Sequence, residues 1–375
     1  MKKFGQFISV LVLLLLFSTI AYGTTWTTNK RLTNNAGSAF YPAIAVDGSN
    51  IYVVWEDDTP GNREIYFKKS IDEGVTWSPN KRLTNNAGDS SYAAIAVDGS
   101  NIYVVWSDDI SGNYEIYFKK SIDGGATWST NKRLTYTGYL PAIAVDGSNV
   151  YVVWNNHTGR HWEIYFKMSD DGGVTWSTNK RLTYAAGISN NNNPVIAVDG
   201  SNIYVVWEDD TPQIYFKKSV DGGATWSTNK RLTNSARGSD YPAIAVGGSN
   251  IYVVWEDDTP WNEEIYFKTS ADGGATWTAN KRLTNNAGYS TNPVIAVDGS
   301  NIYVVWEDDT PGNWEIYFKM SDDGGVTWST NKRLTNNAGY SNNPAIAVYG
   351  SNIYVVWQDT APGHYEIYFK KGSLF

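Results

Sequence analysis

Apolar residues along this chain come in short runs of four to six, each closed by Gly, Pro, Asn or Asp. PAIAV (42–46) is followed by the turn DGSN, then IYVVW (51–55), a polar loop, EIYFK (64–68), an octet of the type SIDEGVTW (70–77) and the string NKRLT. Runs this short, rich in Val, Ile, Tyr, Phe and Trp and bounded by turn formers, predict strands, and no helical period survives beyond the N-terminal segment. IYVVW is apolar on both pleat faces, so that strand has to be covered on both sides.

The pattern repeats. NKRLT begins at 29, 80, 131, 179, 229, 280 and 331, giving seven units of about fifty residues. Four short strands per unit, with the second buried on both faces, predict an all-β fold: a seven-bladed β-propeller of four-stranded antiparallel blades. Ala43 and Ala45 in the first run suit the crowded ground nearest the axis. TWTTNKRLT (25–33) supplies half an octet and an outer strand, while EIYFKKGSLF at the C-terminus lacks one. The N- and C-terminal strands are therefore expected to complete one blade and close the ring.

Residues 1–23 read as a signal peptide: Lys2 and Lys3, an apolar run from Phe7 to Ile20, then Ala21, Tyr22 and Gly23 as a small-x-small cleavage site. The expectation is one propeller domain over 24–375, secreted to the extracellular space or periplasm after cleavage near Gly23. No later segment is apolar for long enough to span a membrane as a helix. Without Lys2 and Lys3, 28 basic side chains face 38 acidic ones, and the net charge moves from −8 to −10. That sign repels a phosphate backbone and argues against nucleic acid. Cysteine is absent, so stability has to come from packing and no thiolate metal site can form.

SDDGGVTW at 169–176 and 321–328 carries two carboxylates, which raises the question of chemistry. Six complete octets are equivalent, whereas acid–base catalysis needs one site with distinct neighbours. The Asp suits turn amides, the Gly two residues on suits positive φ, and the Trp buries a large face. With its Ser-x-Asp-x-Gly-x-Thr-Trp pattern the octet resembles the Asp-box, or BNR repeat, of the sialidase-like propeller superfamily. The structural Asp-box residues are then Asp72, Asp123, Asp171, Asp221, Asp272 and Asp323 with Trp77, Trp128, Trp176, Trp226, Trp277 and Trp328. The resemblance places these boxes away from any active site.

Removing everything the repeat explains leaves the individuality of the chain. The three Trp outside strands and octets (Trp162, Trp261, Trp314), all three His (His157, His161, His364) and the three Arg outside KRLT (Arg63, Arg160, Arg237) fall in the long loops at one end. Ten of the 26 Tyr join them, Tyr41, Tyr92, Tyr114, Tyr139 and Tyr365 included. Long, varied loops on a rigid scaffold usually carry recognition. Acidic triplets such as Glu56 to Asp58 recur there, and blade 3 breaks the series with Asn155 and Asn156. The candidate ligand-binding residues are Arg63, Tyr114, His157, Arg160, His161, Trp162, Arg237, Trp261, Trp314 and Tyr365, with Asp57, Asp108, Asp209, Asp257 and Asp308.

The triplets fit turn capping, sugar-hydroxyl binding or calcium, although they lack the spacing of a dedicated calcium loop. No metal site or cofactor is assigned; calcium stays open. His157 and His161 lie in a loop, where i, i+4 spacing does not face both toward one ion. The KR pairs are read as charges that keep outer strands from associating. For activity, the resemblance implies three arginines on a substrate carboxylate, with a Tyr/Glu pair and an Asp. Here the Arg-Ile-Pro motif is missing, seven blades replace six, and Arg63, Arg160 and Arg237 sit at loop tips. The alternative is an exo-sialidase-like enzyme or another glycoside hydrolase using two loop carboxylates, with no pair singled out. Seven near-identical units favour a non-catalytic binder of a glycan or an extracellular protein, expected to be a monomer.

Overall fold

A computed structural model of the chain describes residues 23–110, 112–159, 161–184, 190–259 and 261–375. The segment assigned to the signal peptide, apart from Gly23, lies outside the described residues, as does Arg160.

Seven antiparallel sheets make up the described residues, with no helix among them. Blade 1 consists of Ala39–Asp47, Asn50–Asp57, Glu64–Ser70 and Lys81–Arg82, paired in that order from the axis outward. Blades 2 to 6 repeat this order from Ser90, Tyr139, Asn191, Ser239 and Ser290. Blade 7 takes Ser341–Tyr349, Asn352–Asp359 and Glu366–Leu374 from the C-terminus, and its outer edge from the N-terminus. Thr24 pairs with Leu374 and Trp26 with Gly372, then Lys30 with Phe369 and Arg31 with Tyr368. The expected closure of the ring is therefore present.

IYVVW explains how blades stack. Tyr52 and Val54 point to blade 2, where they meet Ile102, Val104 and Trp106. Ile51, Val53 and Trp55 point back to blade 7 and pack on Tyr354, Val356 and Phe369. Each such side chain is buried, at about 1.5 to 3 kcal/mol for a Val or Ile removed from water.

The octet joins blades as well as strands. Ser70 Oγ donates to Asp72 Oδ1 at 2.7 Å, the Thr76 amide donates to Asp72 Oδ1 at 2.8 Å, and Thr76 Oγ1 donates to Asp72 Oδ2 at 2.6 Å. Trp77 then sets its ring edge-on to Phe369 of blade 7 at 5.1 Å. Six more Trp–Phe pairs of this kind run around the ring, Trp26 on Phe318 supplying the seventh. Gly125 shows why the box needs glycine: its φ is +86°, and a Cβ there would lie 2.6 Å from Phe67.

The KR pairs do more than shield edges. Arg82 bonds Glu64 at 2.6 Å, and Lys81 donates to Ala126 O of the next octet at 2.6 Å. Edge protection alone is thus an incomplete account, since the arginine braces its own blade and the lysine ties it to its neighbour.

Candidate functional site

The short turns and octets share one end: the Glu73 amide donates to Ser49 O at 3.0 Å, linking the DGSN turn to the octet of the same blade. Long loops occupy the other end. There, in every inner strand, the ladder slips once, between Phe40 and Ala43 in blade 1 and at the matching place in the other six. The residue in the slip is left-handed: Tyr41, Tyr92, Leu140, Asn193, Tyr241, Asn292 and Asn343, with φ between 47° and 55°. With the adjoining Pro or Ala they line an axial funnel of about 400 Å³.

A left-handed non-glycine costs on the order of 1 to 2 kcal/mol, so seven in one ring call for compensation. The first member of each acidic triplet provides it across the blade boundary. The amides of Tyr92, Tyr241, Asn292 and Asn343 donate to Glu56, Glu208, Glu256 and Glu307 of the preceding blade, at 2.6 to 2.9 Å. Gln358 does the same for Tyr41 at 2.9 Å. Ser107 and Asn155 replace the clasp before Leu140 and Asn193, so the ring of clasps is interrupted around blade 3.

Burial raises the carboxyls of Glu56 and Glu208 to about 7 and Glu256 to about 8, and pushes Glu307 upward too. Of these four glutamates, only Glu56 has a cationic partner among the described residues, Arg63 at 3.4 Å.

Over the interruption lies an aromatic belt. Ring centroids run from Tyr365 to Phe40 (5.4 Å), Phe40 to Tyr41 (6.5 Å), Tyr41 to Tyr92 (5.3 Å) and Tyr92 to Tyr139 (4.9 Å). Tyr139 also meets Tyr114 at 4.8 Å and Trp162 at 6.4 Å, and Trp162 meets His157 at 5.1 Å. Arg63 sits 5.5 Å over Phe40. The long-loop face is therefore divided, with aromatic rings over blades 7 and 1 to 3 and buried acids with amides over blades 4 to 6.

Of the residues expected at the site, Arg63, Tyr114, His157, Trp162 and Tyr365 come together in this belt. Arg237 and Trp261 form a separate pair at 3.8 Å, with Trp261 81% exposed at a loop tip. Trp314 and His161 are half-buried and make no ring contact with the belt. The second acids need correction as ligand contacts. Asp57, Asp108, Asp257 and Asp308 are buried, because each accepts from its own blade's Trp indole and from the loop behind it. Asp108, for example, holds Trp106 Nε1 at 3.0 Å, Ser90 Oγ at 2.9 Å and Asn86 Nδ2 at 2.8 Å. Asp209 is half-buried and accepts from Thr211.

Phe40, Tyr41, Tyr92 and Tyr139 were not singled out from sequence as site residues. One signal marks two of them, Tyr41 and Tyr92: in the aligned units, the residue just before the inner run varies among Tyr, Leu and Asn while the run itself repeats. Among the described residues no group of three or more His, Cys, Asp or Glu is placed to hold a metal ion. No helix among them is long and apolar enough to cross a membrane.

Residues 102–256 match the model of the BNR repeat-like domain. Over those residues the seven-bladed β-propeller thus carries a BNR repeat-like domain. Solved structures similar to this propeller include a protein of unknown function from Dyadobacter fermentans, at 12% identity and a TM-score of 0.59, covering 94% of this chain and 100% of that one. A PL25 ulvan lyase bound to a GlcA–Rha3S saccharide is similar at 10% identity and 0.60, covering 89% and 94%. The endosialidase of phage phi92 follows at 13% and 0.57, covering 92% and 69%. At such identities the likeness is one of fold. A search of curated proteins finds no match to this chain.

Proposed function

We propose that this propeller is an exported, non-catalytic carbohydrate-binding module whose ligand lies across the aromatic belt into the axial funnel. The observation that carries this reading is the unbroken run of six aromatic rings from Tyr365 to Trp162, with Tyr114 branching from Tyr139, alongside amides and carboxylates suited to hydroxyl groups. Flat rings stack on the apolar faces of sugars, and a chain of them suits an oligosaccharide rather than a single residue. Saccharide-active proteins among the structures of similar fold are consistent with it. A hydrolase reading would draw on Glu56, whose carboxyl stands near 7 beside the belt. That carboxylate is fully buried, however, with one oxygen on the Tyr92 amide and the other on Arg63.

The test is binding of the purified protein to an oligosaccharide panel, with Tyr92→Ala and Trp162→Ala alongside. Loss of one stacked ring, about 1.4 kcal/mol, corresponds to tenfold weaker binding in each variant. Unchanged profiles, or a parent that binds no saccharide, would overturn the proposal. Appearance of new reducing ends or unsaturated sugars would overturn its non-catalytic part.

A further inference from the structure

On the opposite, short-turn end, clefts between blades are plugged by lysines of the chain itself. Lys69 Nζ donates to Gly124 O of blade 2, Lys120 Nζ to Gly172 O of blade 3, and Lys218 Nζ to Gly273 O of blade 5, each at 2.6 Å. A second ammonium works beside each: Lys81, for example, holds Gly125 O at 3.4 Å and Ala126 O at 2.6 Å. These three clefts therefore hold two cations each, whereas blades 3, 5 and 6 carry Met168, Thr269 and Met320 at the matching position.

Between blades 3 and 4 only one is present. Lys180 holds Gly223 O at 3.0 Å and also bonds Ala224 O, but Met168 stands where Lys69, Lys120 and Lys218 stand elsewhere. A thioether cannot donate, and among the described residues no donor reaches Gly222 O. Space is vacant as well: a Cβ built on Gly124, Gly172 or Gly273 would lie 3.8 Å from the lysine nitrogen, whereas one on Gly222 has nothing within 4 Å. A cavity of about 740 Å³ opens here, with Tyr151, Phe166 and Met168 among its apolar walls and Asp146 and Asp221 among its polar ones.

We propose that this cleft binds a primary alkylammonium group, with nitrogen on Gly222 O and carbon chain along Met168 and Phe166. The geometry is the one that three lysines adopt in sibling clefts, and the carboxylates favour a cation over a neutral group. Thr269 in blade 5 leaves Gly324 O without a lysine too, so the test has to locate the ligand.

Amide shifts of the ¹⁵N-labelled protein would be followed on titration with 1,5-diaminopentane, with Nα-acetyl-lysine methylamide and with pentan-1-ol. Both amines should shift Gly222 and Gly223, and the alcohol should not. Met168→Lys, a residue that blades 1, 2 and 4 already carry, should abolish the shifts, while Met168→Leu keeps them. Tighter binding of the diamine assigns the site to a free amine; tighter binding of the lysine amide assigns it to a lysine on another protein. No shift at Gly222 in the parent, equal shifts with pentan-1-ol, or shifts surviving in Met168→Lys would each overturn the proposal.

Discussion

Glu256 is a buried carboxyl that accepts the Asn292 amide, at 2.9 Å, and a neutral amide side chain could do that equally well. Gln358 already does so for Tyr41 in blade 7. Burial, with Asp240, Glu263 and Glu208 adding repulsion, raises this carboxyl to about 8 from the usual 4.5. The folded protein thus holds the proton more tightly than the unfolded chain. The stability tied to it is complete below pH 4.5 and is lost as pH rises through about 8. At about 1.4 kcal/mol per pKa unit, a shift of this size makes ionisation cost about 4 kcal/mol between pH 5 and pH 8.5. With about 2.1 cal/mol/K of unfolding entropy per residue, that is about 5 °C in Tm for a chain of 375 residues. Calorimetric melting of Glu256→Gln beside the parent at pH 5, 7 and 8.5 measures it. The variant should match the parent at pH 5 and melt several degrees higher at pH 8.5. A variant that is less stable than the parent at pH 8.5, or whose advantage does not grow with pH, would refute the reasoning.

Other perturbations have definite outcomes. Trp128→Ala removes the edge-on contact to Phe67 and the indole bond to Gly125 O, and should cost about 3 kcal/mol in chemical denaturation without altering the other blades. Hydrogen bonds from Thr76 and Ser70 hold the Asp72 carboxyl down at about 2. Its stabilising effect is present above pH 4 and lost as pH falls through about 2, so Asp72→Asn should lower Tm at pH 6 and leave it unchanged near pH 2. Removing residues 24–31 strips the outer edge of blade 7 and uncovers Phe318, and should depress Tm far more than any single substitution above, as read by circular dichroism.

The fold could be read from the chain because its signal is redundant. Seven copies of a two-faced strand and six copies of the octet fix blade number, strand order and the end at which each loop lies. The half-unit before Lys30 and the missing outer strand after Lys371 made the seam visible too. The site was harder to read because its geometry depends on a register slip that leaves no mark in composition. Tyr41 and Tyr92 look like ordinary loop residues until the bulge turns their backbone left-handed and points seven equivalents at one axis. The acidic triplets misled for a related reason. Glu56, Asp57 and Asp58 look alike in sequence, yet the first clasps the next blade, the second anchors Trp55 and the third caps the preceding loop through the Ser38 amide at 2.6 Å.

The seam also bears on engineering. The Phe375 amide donates to Gly23 O at 3.2 Å, so the two ends of the described ring already touch. A few glycines could splice them, and a new break could be made in any DGSN turn on the end away from the belt. The circle is indifferent to where the polypeptide starts, which offers a route to fusing a second protein at the back of the disc while the long-loop face stays open.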